Sequence, residues 1–253
     1  MNITEYRANS AFSYSKLKAY LKSPLHGLTQ QPPTESAAMR FGSAVDLALK
    51  GQLNEVIVNP FEDGRTKAAK DFKQENAGKL ILTQAEMDKV LHCVASVKAH
   101  PAVKALNLEM LDSDKPLFGQ IDGIPMKGLP DWSFGETLID LKTTSGMVSA
   151  SEFAKTVDNF HYDLQAAVYC ELAKQAGERE PEFFWIVVES DHPFDVAVYK
   201  ATERIMAVGQ AKMKLALNNV HKAQEGSFLG TSDIVRELEM PPWYGKAFQM
   251  DGF

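Results

Sequence analysis

The sequence has little cysteine and lacks a long apolar run. Cys93 and Cys170 are its only cysteines, and each is isolated in a helical pattern, which excludes a four-cysteine zinc or iron–sulfur site and argues against a disulfide framework. A run of about 20 apolar residues is missing, and the N-terminus lacks a basic region followed by an apolar core. We therefore expect a cytoplasmic protein with neither a secretory signal nor a membrane-spanning helix.

Positive charge is also scarce: the sequence has 27 lysines and arginines against 33 aspartates and glutamates, and its net charge is −6. This balance is unlike that of a nonspecific DNA coat, but it leaves room for a local basic channel. With 253 residues and 45% apolar content, the chain can bury one large core. We expect a single α/β domain over residues 1–253.

The most informative stretch spans residues 127–144. Residues 138–142 have the pattern of a short buried strand, on which Asp140 and Lys142 share one face because side chains alternate along a strand. Asp131 lies nine positions before Asp140, and residues 133–136 have turn composition, which predicts a hairpin. Two carboxylates and one amine would then converge.

Two carboxylates that lie close together repel each other unless a cation separates them, and their hard oxygen atoms favour Mg²⁺ or Mn²⁺. Such a metal activates water and neutralises charge on a phosphate, and a lysine can position or help to deprotonate the water. The pattern suits phosphodiester hydrolysis. Short acid-x-lysine strings also arise by chance, so a surface hairpin with solvated charges is the alternative from these residues alone.

Periodicity and turn residues predict the remaining elements. Helices are expected at residues 13–21, 41–49, 83–100, 151–176 and 202–224, and strands at residues 117–124, 125–131, 137–142, 183–189 and 196–201. Thr83 and Glu86 form a capping box at the start of the third helix. The fold class is therefore α/β, with a central mixed sheet of about five strands flanked by helices.

Three residues are candidates for phosphate or DNA contacts. Ser15 lies at the start of a helix, where free backbone N–H groups favour anions, although plain capping is the alternative. Arg65 and Lys67 belong to a basic, apolar-poor segment of residues 59–79 that looks exposed and suited to a phosphate backbone. An ordinary solvated charge run is equally compatible with that segment.

Three more residues flank predicted apolar stripes. Asp46 borders the stripe of the second helix one turn after Gly42, where another chain segment could pass close by. Its alternative role is a boundary acid in water. Gln165 and Tyr169 lie one turn apart on the fourth helix and could face the strand edge, or they simply complete its polar border.

These stretches together resemble the RecE (exonuclease VIII) type of phage recombination exonucleases, relatives of lambda exonuclease in the PD-(D/E)XK nuclease superfamily. The matching features, in the family's order, are Ser13-x-Ser15-x-Leu17, residues 41–46, residues 65–67, Lys127-Gly128-x-Pro130-Asp131, residues 139–144, Tyr162-x-x-Gln165-Ala166-Ala167-x-Tyr169 and the closing Pro-Pro-Trp. The resemblance implies a restriction-endonuclease-like core over about residues 113–225, preceded by a helical part over about residues 1–112.

The resemblance also implies a function. The protein would be a Mg²⁺-dependent 5′→3′ exonuclease that digests linear double-stranded DNA and leaves 3′ single-stranded tails for recombination. Its site residues would be Asp46, Asp131, Asp140 and the Leu141 carbonyl as metal ligands, Lys142 to orient or activate water, and Gln165 and Tyr169 to support Lys142 or the phosphate. The family usually has histidine at the position of Asp46, and a carboxylate can replace imidazole on a hard metal.

Partners follow from the same resemblance. We expect a RecT/Beta-like single-strand annealing protein, a ring-shaped homo-oligomer of three or four chains, no membrane, and the cytoplasm of a bacterial host cell. The alternatives are a structure-specific DNA endonuclease and a catalytically silent DNA-binding recombination scaffold. Intact Asp131, Asp140 and Lys142 disfavour the scaffold.

Overall fold

A computed structural model of the chain describes residues 3–31, 34–61 and 65–226, together with residues 235, 237 and 238. The closing Pro-Pro-Trp lies outside the described residues. None of the helices in the described ranges combines the length and the apolar content needed to cross a bilayer.

The helices are α1 (Ile3–Ala8), α2 (Tyr14–Ala19), α3 (Pro24–Leu28), α4 (Ala37–Leu49), α5 (Lys67–Glu75), α6 (Gln84–Ala99), α7 (Pro101–Leu106), α8 (Ala150–Phe160), α9 (Tyr162–Gln175) and α10 (Glu203–Gln224). The strands are β1 (Val56–Val58), β2 (Leu80–Leu82), β3 (Asp112–Ser113), β4 (Leu117–Ile121), β5 (Ile124–Gly128), β6 (Trp132–Phe134), β7 (Thr137–Thr144), β8 (Glu182–Glu189) and β9 (Val196–Lys200). Short 3₁₀ turns cover Leu53–Glu55 and Leu108–Met110.

The central sheet has five strands in the order β3-β6-β7-β8-β9. β7 and β8 run parallel and the other neighbours run antiparallel, so the sheet is mixed. This confirms the predicted α/β class with a five-stranded mixed sheet flanked by helices.

Two predicted strands do not join that sheet. Residues 117–124 and 125–131 were expected to contribute to it, but β4 and β5 pair with each other as a separate hairpin, and β5 also forms an isolated parallel bridge with Phe12. The two strands are joined by a tight turn at Asp122 and Gly123, where both residues have positive φ, the geometry of a two-residue hairpin connection. The short β3 and β6 occupy the places in the central sheet instead.

The sheet carries apolar side chains on both faces. Along β8, Phe183, Trp185 and Val187 pack in the cluster that includes α9 and α10, whereas Ile186 and Val188 pack in the cluster that includes α4 and α6. Each face of the central strands is thus covered by helices, and the near-continuous apolar run of β8 follows from that burial. Helices from the first 112 residues contribute to both layers.

The predicted helix over residues 151–176 is in fact two helices. It breaks at His161, which has a φ of 58° between α8 and α9. A residue in the left-handed conformation ends an α-helix because the backbone after it can no longer continue the helical hydrogen-bond pattern. A histidine in the sequence does not signal such a break. The break turns the start of α9 toward the end of β7.

The N-terminal part also differs from its prediction. The basic segment of residues 59–79 was expected to be exposed, and most of its described residues are; no helix was predicted there, but it contains α5, whose first turn is capped by the Thr66 side chain. β1 and β2, which flank α5, form a parallel pair that the sequence analysis missed. In contrast, the Thr83–Glu86 capping box is present as predicted, and Thr202 caps α10.

Candidate active site

The hairpin formed by β6 and β7 brings the two motif carboxylates together. Trp132 pairs with Ile139, and the turn between the strands contains Gly135 at a φ of 52°. The Leu141 backbone N–H donates a hydrogen bond to Asp131 Oδ2 at 2.6 Å, which holds the Asp131 carboxylate against β7. The hairpin predicted from the turn composition of residues 133–136 is therefore present, and it brings Asp131 next to the strand that carries Asp140 and Lys142.

Asp140 lies buried between two partners. Its Oδ1 accepts a hydrogen bond from Gln165 Nε2 at 2.6 Å, and its Oδ2 is paired with the Lys142 ammonium group. Lys142 Nζ also lies 4.2 Å from the centroid of the Tyr162 ring, a favourable position for a cation over an aromatic face. Gln165 thus contacts Asp140 directly, whereas its expected role was to support Lys142 or the phosphate.

The charge on Lys142 follows from its surroundings. Burial lowers the pKa of this ammonium group, but the neighbouring Asp140 outweighs that effect, and the pKa is raised above its ordinary value. Lys142 therefore stays protonated in this arrangement. Positioning a water or a phosphate oxygen fits that state better than removing a proton does.

Tyr169 supports the site from one helical turn away. Its side chain is buried, and its hydroxyl lies near the Gln165 side chain and the Leu129 backbone. Burial, and after it the nearby charge of Asp140, raise the pKa of Tyr169, so the phenol stays neutral. A Cβ at Gly128 would lie 2.8 Å from the Tyr169 ring, so the glycine of the Lys-Gly-x-Pro-Asp motif makes room for this tyrosine.

Lys127, which begins that motif, has a structural role. Its Nζ donates hydrogen bonds to the backbone carbonyls of Tyr6 at 2.8 Å and Asn9 at 2.7 Å. These carbonyls lie at the C-terminal end of α1, where a positive charge is favourable. Lys127 thereby ties α1 to β5.

Four carboxylates form what we call the acid cluster: Asp46, Asp114, Asp131 and Asp140. Oxygen atoms of Asp46, Asp114 and Asp131 lie within 4.8 Å of one another. Asp46 reaches the cluster because α4 packs closely on β7, and a Cβ at Gly42 would lie 3.1 Å from Thr143 Oγ1. The close approach expected at Gly42 is therefore present.

The acid cluster is crowded with like charges. Burial, followed by the charges of Asp140 and Asp46, raises the pKa of Asp131 well above its ordinary value. Burial also raises the pKa of Asp46, which Lys50 partly counteracts. Crowded carboxylates with raised pKa values require compensating positive charge in order to ionise together.

This donor set fits a divalent metal ion. Three carboxylate oxygens within 4.8 Å provide the hard ligands that Mg²⁺ and Mn²⁺ prefer. The closest trio contains Asp114 where the sequence analysis expected Asp140, because Asp140 is turned toward Gln165 and Lys142. Asp46, Asp131, Asp140 and the Leu141 carbonyl remain predicted ligands, and Asp114 joins them as a candidate.

Lys50 is the second residue of this site that sequence analysis missed. It lies one turn after Asp46 on α4, and its Nζ is 2.8 Å from Asp46, 2.8 Å from Asp114 and 3.8 Å from Asp131. The i,i+4 spacing of Asp46 and Lys50 was a usable signal for an ion pair. Nothing in the sequence distinguishes Asp114 from the exposed Asp112 two positions earlier.

A cleft of about 1100 Å³ opens over the acid cluster. Its walls come from the start of α4, from α6, from the end of β7, and from α8 and the start of α9. They include Ser36, Met39, Phe41, Gly42, Asp46, Lys89, Asp131, Asp140, Lys142, Thr144, Phe160 and Tyr162. Ser15, Arg65 and Lys67, the predicted phosphate contacts, are not among the residues that line it. In α2 the capping side chain is Ser13, whose oxygen accepts from the Lys16 N–H.

Two residues of α2 nevertheless lie near Lys142. The Tyr14 hydroxyl donates to the Phe160 carbonyl at 3.5 Å, and burial raises the pKa of Tyr14 to about 12, an effect that Lys142 opposes. Burial, and next the charge of Lys142, lower the pKa of Lys18. Lys18 and Lys142 thus carry like charges that are close enough to repel each other. An anion bound between them would be stabilised by both charges.

An acid pair on a β-hairpin, with a lysine on the same strand face of a mixed sheet, defines a domain of the PD-(D/E)XK class. The family model described as "PDDEXK-like domain of unknown function (DUF3799)" matches residues 13–232, and the chain belongs to this family. The predicted superfamily is therefore confirmed. No curated protein matches the chain in sequence.

Solved structures that are similar to the chain include the following two. A crystal structure of an exonuclease candidate from Eubacterium rectale aligns with a TM-score of 0.67 and 16% identity, covering 99% of both chains, which shows a shared fold. A phage related exonuclease from Haemophilus somnus 129PT aligns with a TM-score of 0.36 and 11% identity, covering 83% of this chain and 94% of that one.

Proposed function

We propose that the protein is a metal-dependent deoxyribonuclease that hydrolyses phosphodiester bonds. The observation that carries this proposal is the constellation on β7: Asp131 is bonded to the Leu141 N–H, Asp140 is paired with Lys142, and Asp46 and Asp114 complete the acid cluster beside an open cleft. Membership of the PDDEXK-like family supports the same chemistry.

In the mechanism that we propose, Asp46, Asp114, Asp131 and Asp140 are the residues available to hold the ion. A bound Mg²⁺ or Mn²⁺ would lower the pKa of a water and offset charge developing on the phosphate. Lys142, protonated and fixed over the Tyr162 ring, orients the water or a phosphate oxygen. Gln165 keeps the Asp140 carboxylate in place, and Tyr169 lies one helical turn further along the same side of α9.

We further propose Mg²⁺ as the cofactor, linear double-stranded DNA as the substrate and 5′→3′ exonuclease action that leaves 3′ tails. The resemblance of the motifs to the RecE type supports the polarity and the recombination role. The name of the similar Eubacterium rectale protein, an exonuclease candidate, agrees with action from an end. Lys18 and Lys142 provide positive charge beside the cleft for a DNA phosphate.

The test is digestion of four substrates with and without Mg²⁺: linear duplexes labelled at the 5′ end or at the 3′ end, single strands, and covalently closed circles. Early release of the 5′ label from linear duplexes alone is expected. Cleavage of closed circles would instead indicate a structure-specific endonuclease. Binding without cleavage would indicate a silent scaffold.

Variants identify the site. Asp131→Asn, Asp140→Asn and Lys142→Ala should each remove cleavage while the protein stays folded, because these groups act on one transition state. The matched control is Asp112→Asn, which changes an exposed carboxylate two positions from Asp114. Cleavage at the wild-type rate by any of the three variants would remove that residue from its proposed role.

We also propose a ring of three or four chains and a RecT/Beta-like annealing partner. The physical support is the net charge of −6, which gives weak general attraction for DNA, so enclosure would keep the enzyme attached. Light scattering should report three or four chains of 28.0 kDa, and digestion should continue after excess competitor DNA is added. A monomer that stops at once on competitor challenge would contradict the ring.

A further inference from the structure

An exposed aromatic side chain lies in the wall of the cleft beside the acid cluster. Phe160, the last residue of α8, is 52% exposed and lines the cleft. Single apolar residues on a protein surface are common and need no explanation. Phe160 differs from them because it faces the cleft that contains Asp140 and Lys142, where a bound substrate would cover it.

The Phe160 ring is the outer member of a stack that begins at Lys142. Lys142 Nζ lies 4.2 Å from the centroid of the Tyr162 ring. Tyr162 in turn stacks on Phe160, with the ring centroids 5.7 Å apart and the ring planes 18° from parallel. A single ring, that of Tyr162, therefore separates Phe160 from the ammonium group that we place at the phosphate.

The backbone holds Phe160 in this position before any substrate binds. His161 follows it with a φ of 58°, which ends α8, and the Phe160 carbonyl accepts the hydrogen bond from the Tyr14 hydroxyl at 3.5 Å. Tyr162 is partly buried and packs against the core. The face of the Phe160 ring that points away from Tyr162 is left open to the cleft, and a fixed, open face binds a ligand at low entropic cost.

A flat apolar face close to a phosphate site suits a nucleobase. Bases stack on aromatic side chains, and because every base has such a face, the contact tolerates any sequence. Inside a duplex the neighbouring base pairs cover both faces of a base. Only an unpaired base, such as one at an open strand end, can therefore lie on Phe160.

We infer that Phe160 is a stacking platform for an unpaired nucleobase next to the phosphodiester that is cut. This inference rests on the proposed nuclease function and names the part of the substrate that this wall of the cleft recognises. Binding of the strand then depends on the presence of a base at one position, and not on which base it is.

The test measures DNA affinity by fluorescence anisotropy at one fixed salt concentration, with Asp131→Asn in every protein so that no DNA is cut. The ligands are single strands of one mixed sequence: an intact strand, and a set in which one abasic site is moved a position at a time from the 5′ end. Phe160→Leu keeps an apolar side chain over Tyr162 but removes the flat ring, so it should weaken binding of the intact strand by about tenfold.

The abasic strands distinguish stacking from a structural role. With Phe160 present, an abasic site at one particular position should cause a similar loss of affinity. On that same strand Phe160→Leu should cause no further loss, because the base that it would contact is already missing. An equal loss from Phe160→Leu on every abasic strand would overturn the inference, since a ring that only covers Tyr162 does not need a base.

The matched control is Phe134→Leu, which changes a phenylalanine that is 66% exposed on β6 and is not among the residues that line the cleft. It should leave every affinity unchanged. If Phe160→Leu does not fold, as judged by circular dichroism, Phe160→Trp decides the question. Its larger ring should bind the intact strand more tightly than Phe160 does, and unchanged affinity would overturn the inference.

A rate measurement separates failure of the inference from failure of the proposed function. With Asp131 restored, Phe160→Leu should lower the kcat/KM for label release from the intact strand end by about tenfold. Cleavage by the wild type that Phe160→Leu leaves unchanged would overturn the inference alone. If the wild type neither binds nor cuts DNA, the inference and the proposed function both fail.

Discussion

Gln165 provides a sharp test of the site, because its role depends on one contact. Its Nε2 donates to Asp140 Oδ1 at 2.6 Å, and both residues are only 4% exposed. A hydrogen bond to a charged group contributes roughly 1.5–3 kcal/mol. Loss of a group that orients a metal ligand typically lowers metal affinity or activity by about 10–100-fold. The two ranges agree, since about 1.4 kcal/mol corresponds to a factor of ten.

The perturbation is Gln165→Leu, which keeps much of the volume and removes the donor. We expect the Mn²⁺ affinity and the kcat/KM for linear DNA to fall by about 10–100-fold. Gln165→Glu should be worse, because it places a second carboxylate against Asp140. Calorimetry and initial rates of label release provide the two measurements.

Gln175→Leu is the matched control on the same helix. Gln175 Nε2 donates to the exposed Gln120 carbonyl at 2.9 Å, ten residues further along α9. The control should change neither quantity by more than a small factor. Wild-type affinity and kcat/KM in Gln165→Leu, or an equal loss in Gln175→Leu, would refute the idea that Gln165 positions Asp140.

Three further predictions concern single residues. Asp46→His should retain DNA cleavage and Asp46→Ala should lose most of it; cleavage at the wild-type rate by both variants would make Asp46 a boundary acid. Gly209→Ala should destabilise the protein by roughly 1–3 kcal/mol in denaturant unfolding, because the new Cβ would lie 2.1 Å from the Asp163 carbonyl oxygen, and this outweighs the better helix propensity of alanine. A gain in stability would contradict that contact. Thr83→Ala should lower the free energy of unfolding by about 1 kcal/mol through loss of the α6 cap, and an unchanged midpoint would exclude the capping role.

Local patterns predicted much of the fold and part of the site. The alternation along residues 138–142 placed Asp140 and Lys142 on one face, because side-chain direction in a strand follows from backbone geometry alone. The turn composition at residues 133–136 predicted the hairpin that carries Asp131 to Leu141. The Thr83 and Thr202 caps were predictable for the same reason, since a cap and its N–H partner lie within one turn.

Those local patterns could not predict contacts between segments that are distant in the sequence. Asp114 and Asp112 look alike in sequence, and only the path of the chain from β3 to β4 brings Asp114 to within 2.8 Å of Lys50. The helix break at His161 and the direct bond from Gln165 to Asp140 also depend on packing.

The sequence by itself thus determined which residues share a strand face, where helices begin and which carboxylates can meet across a hairpin. Only the tertiary structure decided that Lys50 enters the acid cluster and that Asp114 completes its closest trio. The physical reason is that strand and helix periodicity act over a few residues, whereas charge pairing in a buried site depends on which segments, tens of residues apart, the core packs together.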